Sequence, residues 1–177
     1  MLRAFILHRL DGVERELGES VEYLRHMLRT SLPAMLAFAK VMGMATHRRK
    51  LPLQPWHVAH IVASRSEDCG ACVQIALNQA AKDGLPRDVL QAVIDRRPAD
   101  LPADLALAYR FTDAITARDG AADALREDIR ARFGEVGLVE FALAIASARV
   151  FPVTKRALGY ATSCSLRAPR VPESARA

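Results

Sequence analysis

PWHVAHIVASRSEDCGACVQIALNQAAKDGLP, residues 55 to 86, decides the fold. Pro55 suits the first turn of a helix, where the missing N–H has no bond to lose. Trp56, Val58, Ala59, Ile61 and Val62 follow at helical spacing. Arg65, Ser66, Glu67 and Asp68 close this helix and cap a second one, which runs from about Asp68 to Lys82. Gly84 can take the left-handed conformation that ends it. Two helices and a short turn give a hairpin, with Cys69 and Cys72 in the first turns of its second arm.

The same periodicity extends in both directions. Leu2 to Leu17 reads as an amphipathic helix, and Ser20 is placed to cap another through Val21, Tyr23, Leu24 and Leu28. Leu32-Pro33 opens a third, carrying Met35, Leu36, Phe38, Val41 and Met42 up to Gly43. Its methionines have the spacing of ordinary core residues. Pro86 starts a short helix to about Ile94, and Pro98 and Pro102 mark a break. A helix follows to near Asp119-Gly120, then one through Leu125, Ile129 and Phe133 closed by Gly134. The last runs from Val136 through Val150, with Pro152 expected to kink it before Leu158 and Gly159.

No run alternates with period two for long enough to make a strand, and no glycine-rich phosphate loop is present. The expected fold is all-α, of about eight or nine helices, with the CxxC pair at the N-terminus of a central helix. Residues 1–32 form an N-terminal helical extension and 33–164 the main domain. Residues 165–177, rich in Pro, Arg, Ser and Ala, are expected to be a flexible tail.

A chain of 177 residues suffices for one domain with a real core. Three cysteines and no signal-peptide pattern argue against a secreted disulfide scaffold and lead us to expect a reducing cytoplasm. The longest apolar run, Phe141 to Ala148, is short of the roughly 18 residues of a membrane span. A formal charge of +5 comes from scattered basic residues without interleaved aromatics, so no nucleic-acid partner is expected.

A cysteine is a nucleophile only as its thiolate, and backbone N–H groups at a helix N-terminus stabilise that anion. The i and i+3 spacing of Cys69 and Cys72 also brings both sulfurs to one helix face, where a disulfide can close. Three readings stay open: a redox pair, half of a metal site, or two small buried side chains. Cys164, near the tail and without a sequence partner, reads as an inert thiol. His57 and His60 lie on the preceding helix, also at i and i+3. Packed against the cysteine face, either could serve as general base or acid. All four side chains could instead bind zinc, although the order His-x2-His-x8-Cys-x2-Cys is not a common finger spacing. On an apolar helix, His60 also suits a half-buried packing role. Glu67 is a further acid near the pair or a helix cap.

The unit from Pro55 to Gly84, with the GLP that ends it, resembles the core of the AhpD-like alkylhydroperoxidase and carboxymuconolactone decarboxylase superfamily. The stretch LALAYRFTDAITARDG and the later LREDIRARFGEVGLVEFALAIASARVFPVTKRALG are similar to that family's C-terminal helices in order and length. The likeness spans about residues 33 to 160. It implies an all-α fold that assembles into trimers, dimers of trimers or other homo-oligomers. It also implies that Cys72 attacks a hydroperoxide or disulfide substrate and Cys69 resolves the product. The implied reductant is a lipoyl-type or other protein dithiol, with no bound cofactor.

Two positions depart from the family's pattern. Its redox motif carries a glutamate twelve residues before the first cysteine and a histidine four after the second; here these are His57 and Ala76. Lost activity is one explanation; the other is that His57, projecting from the glutamate's position, has taken over the base role from the opposite helix. Gln74 points elsewhere on the helix and Asn78 is no base near neutral pH, so neither replaces the histidine. The family's true lactone decarboxylases lack the cysteine pair, which disfavours decarboxylation. The expected function is a thiol-dependent peroxidase or disulfide oxidoreductase. The alternative is a non-catalytic oligomeric protein whose cysteines are structural, regulatory or zinc-binding.

Overall fold

Helix follows helix through the whole computed structural model, which describes residues 2–161, 168–173 and 175. The order is α1 (Leu2–Leu17), α2 (Glu22–Thr30), α3 (Leu32–Ala45), α4 (Leu53–Arg65), α5 (Gly70–Lys82), α6 (Arg87–Ile94), a single 3-10 turn (Pro98–Asp100), α7 (Ala103–Ala117) and α8 (Ala122–Ala157). Among the described residues there is no strand. The fold is therefore all-α, as the sequence periodicity predicts.

The centre is α4. Seven of its residues from His57 to Ser64 are buried, and it packs against α5, α7 and α8. Val58, Ala59, Ile61 and Val62 meet Leu77, Leu90, Ala108, Phe141 and Ile145 in the main core. Phe141 makes edge-on contacts with Phe111 and Phe133, at 6.0 and 5.5 Å between ring centroids. A second, smaller core joins the first three helices through Leu10, Val21, Leu28 and Met35.

Helix ends follow local chemistry, with some shifts from the sequence reading. Gly84 has φ +87, Leu85 N–H reaches the Ala80 carbonyl and Gly84 N–H the Ala81 carbonyl. This pair of bonds is a Schellman closure, and Leu85 is fully buried beneath it. The same closure ends α7 at Arg118, φ +59, two residues before the expected glycine; Asp119 N–H bonds Ala114. Helix α4 begins at Leu53, so Pro55 occupies its first turn without opening it. Val21, and not Ser20, is the N-cap of α2, although the Ser20 hydroxyl accepts from Glu22 N–H at 3.3 Å.

The last two expected helices both lie in the range of α8 and are separated where expected, at Gly134, which takes the non-helical φ +75 and ψ 173. Backbone angles leave the helical range there and not at Pro152. By length and composition α8 could cross a membrane, which no contiguous apolar run in the sequence suggested. It nevertheless places Glu140, fully buried, against the 49–51 loop. The carboxylate accepts from Arg49 N–H at 2.8 Å, from Lys50 N–H at 3.0 Å and from Leu51 N–H at 2.7 Å. One buried anion thus satisfies three loop donors and fixes the entry to α4.

Beyond α8, the described residues 168–173 and 175 make defined contacts. Arg170 exchanges two hydrogen bonds with the Gln74 side-chain amide, both 2.9 Å, as a neighbouring strand would. Val171 and Ala175 are buried in the main core, and Arg87 bonds the Pro172 carbonyl at 3.3 Å. A few apolar side chains suffice because α5 and α6 present a ready surface for them. Cys164 lies outside the described residues.

Candidate functional site

The turn between α4 and α5 places the two cysteines. Asp68 takes a left-handed φ of +51, a conformation that Asp tolerates better than most residues. Cys69 is then the N-cap of α5 in extended conformation, and its side chain makes no capping bond. Cys72 follows one turn later. Their Sγ atoms stand 2.8 Å apart, so a small rotation reaches the roughly 2.05 Å of a disulfide. Both side chains are buried with Ala71 in a small cluster that Ala161, four residues beyond the end of α8, packs against.

From α2 comes Tyr23, buried and edge-on to Phe38 at 6.3 Å. Burial first, and then the electrostatic influence of Cys72 and Cys69, raise the pKa of its phenol, so the ring keeps its proton. Lys155 of α8 is buried with its ammonium 5.3 Å above the Tyr23 ring, a cation–π contact. On the turn itself, Glu67 accepts from Arg149 Nε at 2.6 Å and lies 3.5 Å from Arg156. Arg156 also donates to the Glu67 backbone carbonyl. Glu67 therefore does not cap α5; it ties α8 to the residues just before Cys69.

The histidines are elsewhere. Because α4 and α5 run antiparallel, His57 at the start of one meets the end of the other. Its Nε2 lies 2.8 Å from Asp83 Oδ2. Asp83 follows Cys72 by eleven positions, about 16 Å along a helix. The expected base role for His57 fails on that separation. Burial lowers the His57 pKa, while the Asp83 carboxylate opposes the shift and Arg48 adds to it. His60 does not support the pair either. Its ring lies 4.2 Å from that of Trp56, and both His60 Nε2 and Trp56 Nε1 are enclosed without a hydrogen-bond partner. Burial, with a smaller contribution from His57, pushes its pKa down to about 3.

No three His, Cys, Asp or Glu side chains among the described residues converge as metal ligands. The two-histidine, two-cysteine zinc arrangement is not formed, since helix direction sends the pairs to opposite ends of the hairpin. Gln74 holds the C-terminal segment and Asn78, one turn on, bonds Gln74 at 2.9 Å. Sequence reasoning singled out the cysteines and missed the buried Tyr23–Lys155 contact between α2 and α8. Tyr23 shows in the sequence only as part of an apolar stripe, and Lys155 only as a basic residue near a helix end.

The family resemblance receives no support from comparison. No family model matches the chain, and no curated protein or solved structure matches it.

Proposed function

We propose that this protein is a thiol-dependent peroxidase or disulfide oxidoreductase with an AhpD-like helical fold, acting through Cys69 and Cys72. The observation that carries the reading is the 2.8 Å approach of two thiol sulfurs at the N-terminus of α5. Backbone N–H groups at a helix start favour a thiolate, and two adjacent sulfurs can store two electrons. Cys72 is 8% exposed and Cys69 2%, which makes Cys72 the better placed to meet an oxidant and agrees with the role the resemblance gives it.

In the peroxidase cycle the Cys72 thiolate attacks one peroxide oxygen, the O–O bond breaks and the leaving alkoxide takes a proton to become the alcohol. Cys72 is left as a sulfenic acid. Cys69 attacks that sulfur, the S–S bond forms, and hydroxide leaves as water after taking a proton. A dithiol, of lipoyl or protein type, reduces the disulfide and is itself oxidised. With His57 removed from the pair, we take Tyr23, buried and protonated, as the candidate proton donor. The depth of the pair favours a small hydroperoxide over a bulky disulfide. We place this cycle in a reducing cytoplasm and in a homo-oligomer.

Mass-resolved thiol mapping tests the proposal. After stoichiometric peroxide, Cys69 and Cys72 should lose alkylation together and regain it with a dithiol. Serine at either position should abolish turnover. Full turnover in both variants would refute the mechanism. The second reading is a non-catalytic protein that uses the pair for packing, favoured by the burial of both sulfurs and by Ala76 in place of the family's histidine. Two cysteines that stay alkylatable, without disulfide formation, after prolonged peroxide would establish it.

A further inference from the structure

The second part of α8 carries an apolar stripe that the single chain leaves largely uncovered. Val136, Val139, Leu143, Ala146, Val150 and Val153 recur at alternating steps of three and four, the a/d spacing of a coiled-coil seam. Val136, Val139 and Val153 are about half exposed, at 54%, 52% and 46%, Ala146 is exposed, and Leu143 and Val150 are partly so. The main core is served by a different face of the same helix, through Gly137, Phe141, Ala144, Ile145 and Ala148. Core packing therefore does not explain the seam.

The order of residues selects its occupant. Along the helix the seam reads Val, Val, Leu, Ala, Val, Val, with two valines at each end and a large residue beside a small one at the middle. An antiparallel copy centred between Ala144 and Ile145 sets Val136 opposite Val153, Val139 opposite Val150 and Leu143 opposite Ala146. Each pairing occurs twice, once from each copy. At the crossing point, where two helices approach most closely, the isobutyl group of each Leu143 fills the space over the other copy's Ala146, and valines close both ends. Charges agree with this register. Glu135 and Arg156 flank opposite ends of the seam and are exposed, so each end pairs a glutamate with the other chain's arginine. Within the chain Glu135 pairs with Arg130 and Arg156 with Glu67, and both side chains remain more than half exposed to a second partner. Self-complementarity of shape and charge is what a two-fold interface requires.

We infer that α8 pairs antiparallel with α8 of a second copy of this chain, forming a two-fold dimer through this seam. The contact is about 26 Å long and one helix wide. That is narrower than a standard interface of roughly 800 Å² per partner, so the dimer is reversible and concentration-dependent. The inference stands independently of the thiol chemistry, which can fail while the dimer persists.

Sedimentation velocity of the full chain between ~1 and ~200 μM tests it, the range in which an interface of this size dissociates. The wild type should shift from monomer to dimer. Ala146→Glu, which sets a carboxylate against the other copy's Leu143 in both halves of the crossing point, should remain monomeric with unchanged helical circular dichroism. Glu135→Arg should weaken the dimer about tenfold or more, and adding Arg156→Glu should restore it. A wild type that stays monomeric throughout overturns the inference, as does association indifferent to Ala146→Glu. Flotation of a monomer with phosphatidylcholine vesicles would also overturn it, by assigning the seam to lipid.

Discussion

Replacing Glu140 by glutamine should unfold this protein more readily than its conservative chemistry suggests. The carboxylate accepts from three consecutive backbone N–H groups and is fully buried. Glutamine keeps one oxygen and turns an NH2 group toward donors, so at least one charge-assisted bond is lost and one buried N–H is left without an acceptor. Each of these costs roughly 1.5 to 3 kcal/mol, and partial relaxation of the 49–51 loop leaves an expected loss of about 3 kcal/mol. For a chain of this length that is a fall in Tm of roughly 6–12 °C. Calorimetry with Glu127→Gln as an exposed control measures it; the control should change stability by under ~0.5 kcal/mol.

The same variant has a pH signature. Burial alone would raise the Glu140 pKa, but the N–H groups of Leu51, Lys50 and Arg49, with help from His47, outweigh it and hold the value below normal. A carboxyl whose folded pKa is depressed stabilises the fold above its unfolded value, about 4.3, and that contribution fades as pH falls through the folded value. The gap between wild type and Glu140→Gln should therefore be constant near neutrality and narrow below about pH 4. A Tm difference under ~2 °C at pH 7, or a gap that widens in acid, would refute this account of the loop.

Other expectations follow from the same contacts. His60 is neutral in the fold with its pKa lowered to about 3, so the unfolded chain binds the proton first and stability should fall as pH drops from about 6.5 toward 3. His60→Leu should flatten the slope of denaturant midpoint against pH in that window, and an unchanged slope counts against the buried neutral ring. His57→Ala, which breaks the contact with Asp83, should cost about 1–3 kcal/mol in urea unfolding while leaving the rate of disulfide formation unaltered; a large rate loss would restore the histidine to the site. Gln74→Ala removes both bonds to Arg170, and trypsin cleavage after Arg170 should accelerate about tenfold if the C-terminal segment is held as described. Tyr23→Phe should slow peroxide-driven disulfide formation and leave thiol–disulfide exchange with a small aromatic disulfide unchanged, since only the former expels an alkoxide.

The sequence alone determined what local physics controls. Apolar spacing of three and four, with proline and glycine at the breaks, was enough for the helices, and Gly84 and Gly134 marked real changes in the backbone. The CxxC spacing keeps the two cysteines within one turn of each other, but the 2.8 Å approach also depends on Cys69 standing as the extended N-cap of α5. Tertiary structure decided everything that depends on direction and distance between helices. His57 and Cys72 are close in sequence and share a hairpin, but its arms run antiparallel. His57 lies near the start of α4, far from the turn, whereas the cysteines open α5 beside it, so the histidine meets Asp83 at the other end. Tyr23 and Lys155 meet from helices far apart in the chain, and no periodicity records such an encounter. The C-terminal residues looked loose because their own apolar content is low, whereas the surface that holds Val171 and Arg170 belongs to α5 and α6. A chain's local preferences fix its elements, while which side chains meet depends on packing energies summed over surfaces the sequence lists far apart.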